Sequence, residues 1–190
     1  MSGVSRLNIP NILTLARIVA LPAVVLLLLP GSHRTISPES SIAAFLIFVF
    51  AALTDAFDGY IARRYHMITD LGKLLDPLAD KLLVCAAMIM LIPTSRVPAW
   101  MAVIVVAREI GVTALRGMAS TEGLVIAASA LGKWKTVLLN IGVAMLILHY
   151  PFFGLPVHEM GYWVLVVGLV FTAWSGLDYF FRFVGEIFKH

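Results

Sequence analysis

The sequence predicts an all-α integral membrane protein in which six transmembrane helices form one bundle. Mean hydropathy is +0.95 and only 13% of the 190 residues are charged, well below the roughly 25% of soluble domains. The chain also divides into six apolar stretches, each near the roughly 20 residues that a helix needs to cross hydrocarbon. We therefore expect a single membrane-embedded domain over residues 1–190.

The six expected helices follow the apolar stretches in chain order. They are Ile12–Leu29, Ser41–Arg63, Leu74–Pro93, Pro98–Gly117, Lys133–Tyr150 and Tyr162–Phe183. In the first, Asn11 is a candidate N-cap, and the absence of a small-residue cleavage site favours a retained helix over a signal peptide. In the third, Pro77 falls in the first turn, where its missing N–H does no harm.

The basic residues predict the orientation of the bundle. With the N-terminus inside, Arg34 and Arg96 fall outside and the other twelve of the fourteen Lys and Arg residues fall inside. Short loops on the cytoplasmic side of membrane proteins carry such an excess. We expect a multi-pass protein of the cell's inner (cytoplasmic) membrane, with both termini on the cytoplasmic side.

Composition also excludes several other classes of protein. Cys85 is the one cysteine, so neither an intramolecular disulfide framework nor a cysteine-rich metal site can form. The formal net charge is +3, but the basic residues are scattered over loops and helix ends without the basic stripe of a nucleic-acid-binding surface. The lipid bilayer is the expected partner, and nucleic acid is not.

Four aspartates stand out beside the apolar stretches, where carboxylates are costly. Asp55 and Asp58 are three residues apart, and Asp76 and Asp80 are four apart, so each pair shares one face of its helix. Four facing carboxylates would repel one another unless cations lay between them. An all-oxygen set suits Mg²⁺ or Mn²⁺ rather than zinc, and two metals can clamp a phosphate group.

Two other interpretations of the aspartates stay open at this point. Ionisable residues in membrane helices also form proton or cation paths, so a small cation or proton transporter is an alternative. Asp76 alone would also favour a helix N-terminus electrostatically, although Asp55, at the far end of an apolar stretch, would not.

The aspartates belong to a longer pattern, D-x2-D-G-x2-A-R-x8-G-x3-D-x3-D, which resembles the signature of the CDP-alcohol phosphotransferases. Every element is present at the family's spacing. The eight positions are Asp55, Asp58, Gly59, Ala62, Arg63, Gly72, Asp76 and Asp80. The stretches NIPNILTLARIVALP, LGKLLDPLADKLLV, AREIGVTALR and LGKWKT are similar to one branch, the bacterial phosphatidylglycerophosphate synthases.

This resemblance implies a six-helix, commonly dimeric enzyme that transfers a phosphatidyl group from CDP-diacylglycerol to sn-glycerol 3-phosphate and releases CMP. It implies metal ligation by Asp55, Asp58, Asp76 and Asp80, with Asp80 also taking the proton of the acceptor hydroxyl. The expected CDP-diacylglycerol-binding residues are Gly59, Ala62, Arg63, Gly72, Asn11, Thr14 and Arg17. No Ser, His or Cys nucleophile lies beside the signature, so direct displacement in a ternary complex is expected.

The acceptor must be predicted from residues outside the signature. A phosphate-bearing acceptor calls for several Arg or Lys side chains, and the candidates are Arg108, Arg116, Lys133 and Lys135. Arg108 lies within an apolar stretch, where Glu109 is a possible local partner, whereas the others suit topology or headgroup contacts equally well. Another family activity, such as phosphatidylinositol phosphate synthesis, therefore remains an alternative.

Overall fold

The computed structural model describes residues 19–31, 34–65, 70–121 and 130–187, with side chains from 19–31, 34–54, 81–121 and 132–186. The described backbone is helical apart from connecting turns and one isolated bridge between Phe152 and Leu155. The helices are α1 (19–27), α2 (Pro38–Tyr65), α3 (Asp70–Leu91), α4 (Ala99–Thr121), α5 (Ala130–Leu148) and α6 (Val157–Ile187). The all-α prediction is thus confirmed for these ranges.

Each described helix coincides with one predicted apolar stretch, and local capping explains why α2 begins earlier than predicted. The second helix begins at Pro38 rather than Ser41, because the Ser37 hydroxyl accepts a 3.1 Å hydrogen bond from the Ser40 amide and thus caps it. Proline at the first helical position is well suited there, since its missing N–H would have had no partner. Capping adds polar residues that hydropathy alone leaves out.

The helices pack around a core of fully buried apolar side chains. Phe48, Met88, Met101, Leu146 and Leu165 are all 0% exposed, and they come from five different helices. α5 packs against α6, α2 and α3, and α4 packs against α6 and α3. Among the described residues, one segment, Val157–Glu186 of α6, is long and apolar enough by itself to cross a bilayer.

Glycines allow α5 and α6 to approach closely. A Cβ atom on Gly142 would lie 2.9 Å from the backbone nitrogen of Leu165, and one on Gly161 would lie 2.7 Å from the Cβ of Met145. Backbone atoms cannot move aside as a flexible side chain can. The α5–α6 contact therefore requires glycine at these positions, as is common where membrane helices cross.

Arg96 joins three parts of the fold at the end of the bundle where α2 begins and α5 ends. The side chain is 3% exposed, and its Nη1 donates to the Ser41 hydroxyl at 3.0 Å and to the Ile147 carbonyl at 2.8 Å. The guanidinium also lies over the Tyr150 ring, 5.7 Å from its centroid. The Tyr150 hydroxyl in turn donates to the Ile36 carbonyl at 2.8 Å.

A histidine pair lies next to Arg96 in the connection between α5 and α6. The Nδ1 atoms of His149 and His158 are 3.1 Å apart, so one ring donates and the other accepts. Burial, and then the nearby Arg96 guanidinium, lower the pKa of His149 to about 4. The His149 ring is therefore neutral at pH 7 and can accept this hydrogen bond.

We expect Gly142→Ala to lower the unfolding temperature in detergent. Alanine ordinarily favours a helix over glycine by about 1 kcal/mol, but crowding against the Leu165 backbone should cost about 1–3 kcal/mol, which leaves a net loss of up to about 2 kcal/mol. Gly185→Ala is the matched control, because a Cβ there meets nothing within 4 Å. Equal stability of the two variants would contradict the close α5–α6 contact.

We expect Arg96→Met to destabilise the fold by about 2–4 kcal/mol, since it leaves buried acceptors at Ser41 and Ile147 without their donor. The same measurement of thermal unfolding in detergent applies. Arg34→Met removes a cation from an exposed position just before α2 and should shift stability by less than about 0.5 kcal/mol. A similar loss in both variants would mean that charge, rather than these contacts, is responsible.

Candidate functional site

The signature positions lie on two consecutive helices that contact each other. Positions 55 and 58 fall in α2, and positions 76 and 80 fall in α3. Their side chains, and those of Gly59, Ala62, Arg63 and Gly72, are outside the described residues, as are Asn11, Thr14 and Arg17 entirely. The helical backbone gives each aspartate pair the spacing of a common face, and metal ligation stays a prediction.

A small cavity lies directly beyond the signature, between α3, α4 and α5. Its volume is about 70 Å³, and its lining consists of Lys81, Val84, Cys85, Val105, Glu109, Lys135, Thr136, Leu139 and Asn140. Val84 is four residues after Asp80, which places it on the same face of α3, about 6 Å further along the helix. The cavity therefore begins within about one helical turn of Asp80 along α3.

Glu109 is the centre of the charged groups around this cavity. It is 7% exposed; its Oε1 accepts hydrogen bonds from the Lys135 ammonium and from Arg108 Nη1, the latter at 3.0 Å. Its Oε2 lies 3.7 Å from the Lys81 ammonium. Lys81 also donates to the Thr113 hydroxyl at 2.6 Å. In the part of the chain whose side chains are described, one carboxylate thus faces three cations, one each from α3, α4 and α5, which leaves an excess of two positive charges.

Arg108 spans from this charged group to α6. Its Nη2 donates to the Ser175 hydroxyl at 3.1 Å, and a Cβ on Gly176 would lie 3.2 Å from the Arg108 Cγ. The glycine therefore leaves room for the arginine stem against α6. Nε of Arg108 is buried and has no hydrogen-bond partner among the described residues.

The structure brings together only half of the predicted phosphate-binding set. Arg108 and Lys135 both contact Glu109, and the expected local pairing of Arg108 with Glu109 is confirmed. Arg116 is exposed and lies over the Tyr179 ring, 5.9 Å from its centroid, whereas Lys133 is exposed outside the cavity lining. Helix geometry explains this, because Lys133 points about 200° away from Lys135 at 100° per residue.

Three polar residues of the cavity lining carry no binding role in the sequence prediction: Lys81, Thr136 and Asn140. Lys81 counts there only toward topology, although its position directly after Asp80 is a usable signal. Asn140 is a polar residue in the middle of an apolar stretch. Its buried Oδ1 accepts no hydrogen bond from the described residues, so it is available to a donor inside the cavity.

Comparison with known proteins identifies the family. The sequence model of the CDP-alcohol phosphatidyltransferases matches residues 7–174. The chain belongs to the CDP-alcohol phosphatidyltransferase family. In this family member the matched range contains the four aspartates and every residue that lines the cavity.

Several curated relatives resemble the chain over most of its length. A CDP-diacylglycerol–glycerol-3-phosphate 3-phosphatidyltransferase of Bacillus subtilis is 40% identical, with 91% of this chain and 93% of the relative covered. A probable phosphatidylglycerophosphate synthase of Mycobacterium tuberculosis is 38% identical, with 95% of this chain and 83% of the relative covered. A Rickettsia bellii protein with the same name as the Bacillus relative is 37% identical, with 91% of this chain and 93% of the relative covered.

Proposed function

We propose that this protein transfers the phosphatidyl group of CDP-diacylglycerol to sn-glycerol 3-phosphate, forming phosphatidylglycerophosphate and CMP. The relatives named for this reaction support the proposal, because they align with nearly the whole chain. The observation that carries the acceptor assignment is the cavity one helical turn beyond Asp80, where Lys81 and Lys135 face a single carboxylate. A phosphate-bearing alcohol suits such a site, whereas a neutral or zwitterionic one does not.

The setting of the reaction is a six-helix, single-domain protein embedded in the bilayer. The described helices support this, since large apolar side chains are exposed along them, among them Phe50 at 67%, Trp163 at 65% and Phe181 at 68%. Lipid is the solvent that accommodates such a surface. The distribution of Lys and Arg residues supports placing both termini and the active site on the cytoplasmic side of the cell membrane. A homodimer is the assembly that the family resemblance implies.

The aspartates fit a divalent-metal site. Four carboxylates on two contacting helices offer oxygen ligands alone, the donor set that Mg²⁺ and Mn²⁺ prefer. Asp55, Asp58, Asp76 and Asp80 would hold the ions. When bound, they would supply positive charge to the pyrophosphate and to the departing CMP.

The chemical step is a direct displacement at the phosphorus that carries the diacylglycerol. The acceptor hydroxyl oxygen forms a bond to this phosphorus, and the bond from phosphorus to the oxygen bridging to CMP breaks. Asp80 takes the hydroxyl proton, and CMP leaves with the bridging oxygen. Lys135 and Lys81 bind the phosphate of the acceptor and so hold its hydroxyl near Asp80.

A panel of acceptors tests the proposed function. Purified protein with CDP-diacylglycerol, Mg²⁺ and either sn-glycerol 3-phosphate, inositol phosphate or serine should release CMP fastest with sn-glycerol 3-phosphate. Chelation of Mg²⁺ should stop the release, and added Mg²⁺ should restore it. No CMP with any alcohol would overturn the enzyme proposal in favour of an activity such as transport. Faster release with inositol phosphate would overturn the acceptor assignment.

Asp80→Asn should lower kcat by about 10²–10⁴-fold, the usual contribution of a general base, while binding of CDP-diacylglycerol stays within a few-fold. Both are measured on the same preparation, by CMP release and by equilibrium binding. Asp178→Asn is the control, because Asp178 pairs with Arg182 on α6, away from the cavity. Equal loss of lipid-nucleotide binding and turnover in Asp80→Asn would rule out the base assignment.

Lys135→Met should raise KM for sn-glycerol 3-phosphate by about 10–100-fold, because a hydrogen bond to a charged group contributes about 1.5–3 kcal/mol. KM for CDP-diacylglycerol should change little. Lys133→Met makes the sharpest comparison, since Lys133 is two residues away and outside the cavity lining. If Lys133→Met has the larger effect, the acceptor phosphate binds elsewhere than in this cavity.

A further inference from the structure

Glu109 stands out among the charged residues of the site, because the chemistry of the transfer gives it no task. It is a buried carboxylate, 7% exposed, in an otherwise cationic group. Both of its oxygens face cations: Arg108 and Lys135 at Oε1, and Lys81 at Oε2. A carboxylate engaged in this way is poorly placed to accept a further proton, so it is unsuited to act as a general base.

The contacts instead suit a residue that holds other side chains in place. The three cations would repel one another without an anion between them, and Lys135 is only 6% exposed. An unpaired buried ammonium is strongly unfavourable. Because each cation comes from a different helix, the Glu109 carboxylate fixes their spacing as well as their charge.

We propose that Glu109 is a positioning residue that adapts the acceptor site to a phosphomonoester dianion. This inference rests on the proposed function of the same cavity. Among the described side chains, three cations and one carboxylate leave a net charge of two positive units, and a phosphomonoester carries about −1.5 to −2 at pH 7. The acceptor phosphate thus completes the neutralisation that Glu109 begins.

The test compares Glu109→Gln, which removes the charge at constant size, with Glu109→Asp, which keeps it. The charge-free variant should raise KM for sn-glycerol 3-phosphate at least about 10-fold, consistent with the 1.5–3 kcal/mol of a charged contact. KM for CDP-diacylglycerol should stay within about threefold. Glu109→Asp should reverse at least half of this increase, measured as the logarithm of the KM for sn-glycerol 3-phosphate. Glu39→Gln, at an exposed position in the first turn of α2, is the matched control.

Several outcomes overturn the proposal. If the wild-type enzyme releases CMP and Glu109→Gln keeps an unchanged KM for sn-glycerol 3-phosphate, positioning by Glu109 is ruled out. The proposed function of the protein then stands. Equal increases in both KM values, or a fall in active protein with unchanged KM values, would mean a purely structural role. By contrast, a wild-type protein without CMP release would overturn the proposed function itself.

A double variant keeps the proposal testable if Glu109→Gln alone folds poorly. Glu109→Gln combined with Lys135→Met removes the buried lysine together with its partner. If Glu109 acts through Lys135, adding Glu109→Gln to Lys135→Met should raise the acceptor KM by less than about threefold over Lys135→Met alone. A further increase of about 10-fold or more would show independent action and overturn the proposal.

Discussion

The pairing of the Glu109 carboxylate with three cations is the interaction on which the site depends. α3, α4 and α5 each contribute one positive side chain there, and like charges would otherwise drive these helices apart. Removing one partner from a buried charged group is far more costly than removing an exposed ion pair. Charge pairing therefore contributes, alongside apolar packing, to the relative placement of the three helices at this end.

The two ends of the bundle satisfy buried cations in different ways. Arg96 relies on a hydroxyl, a backbone carbonyl and an aromatic ring, a set of neutral partners suited to a fixed structural contact. The Glu109 group has an excess of positive charge beside a cavity, which suits an anion that enters and leaves. Between these ends, the α5–α6 hairpin is held close by its glycines.

The sequence predicted the helices well and the site in part. Apolar stretches of bilayer length predict helices because a backbone in hydrocarbon must satisfy its own hydrogen bonds, and each described helix coincides with such a stretch. Arg108 and Lys135 do meet at Glu109. Arg116 packs on Tyr179 instead, because eight residues along α4 separate it from Arg108 by about 12 Å along the axis and about 80° around it.

The sequence by itself determined the helical character of the chain, its family and the spacing of the aspartates, since these depend on local periodicity and on residue order. Only the tertiary structure decided that Lys81 joins Lys135 at one carboxylate and that Asn140 lines the same cavity. These residues lie up to 59 positions apart in the sequence, and no local pattern specifies which faces of three helices will meet. The packing of the helices fixes those faces, and with them the charge that an acceptor encounters.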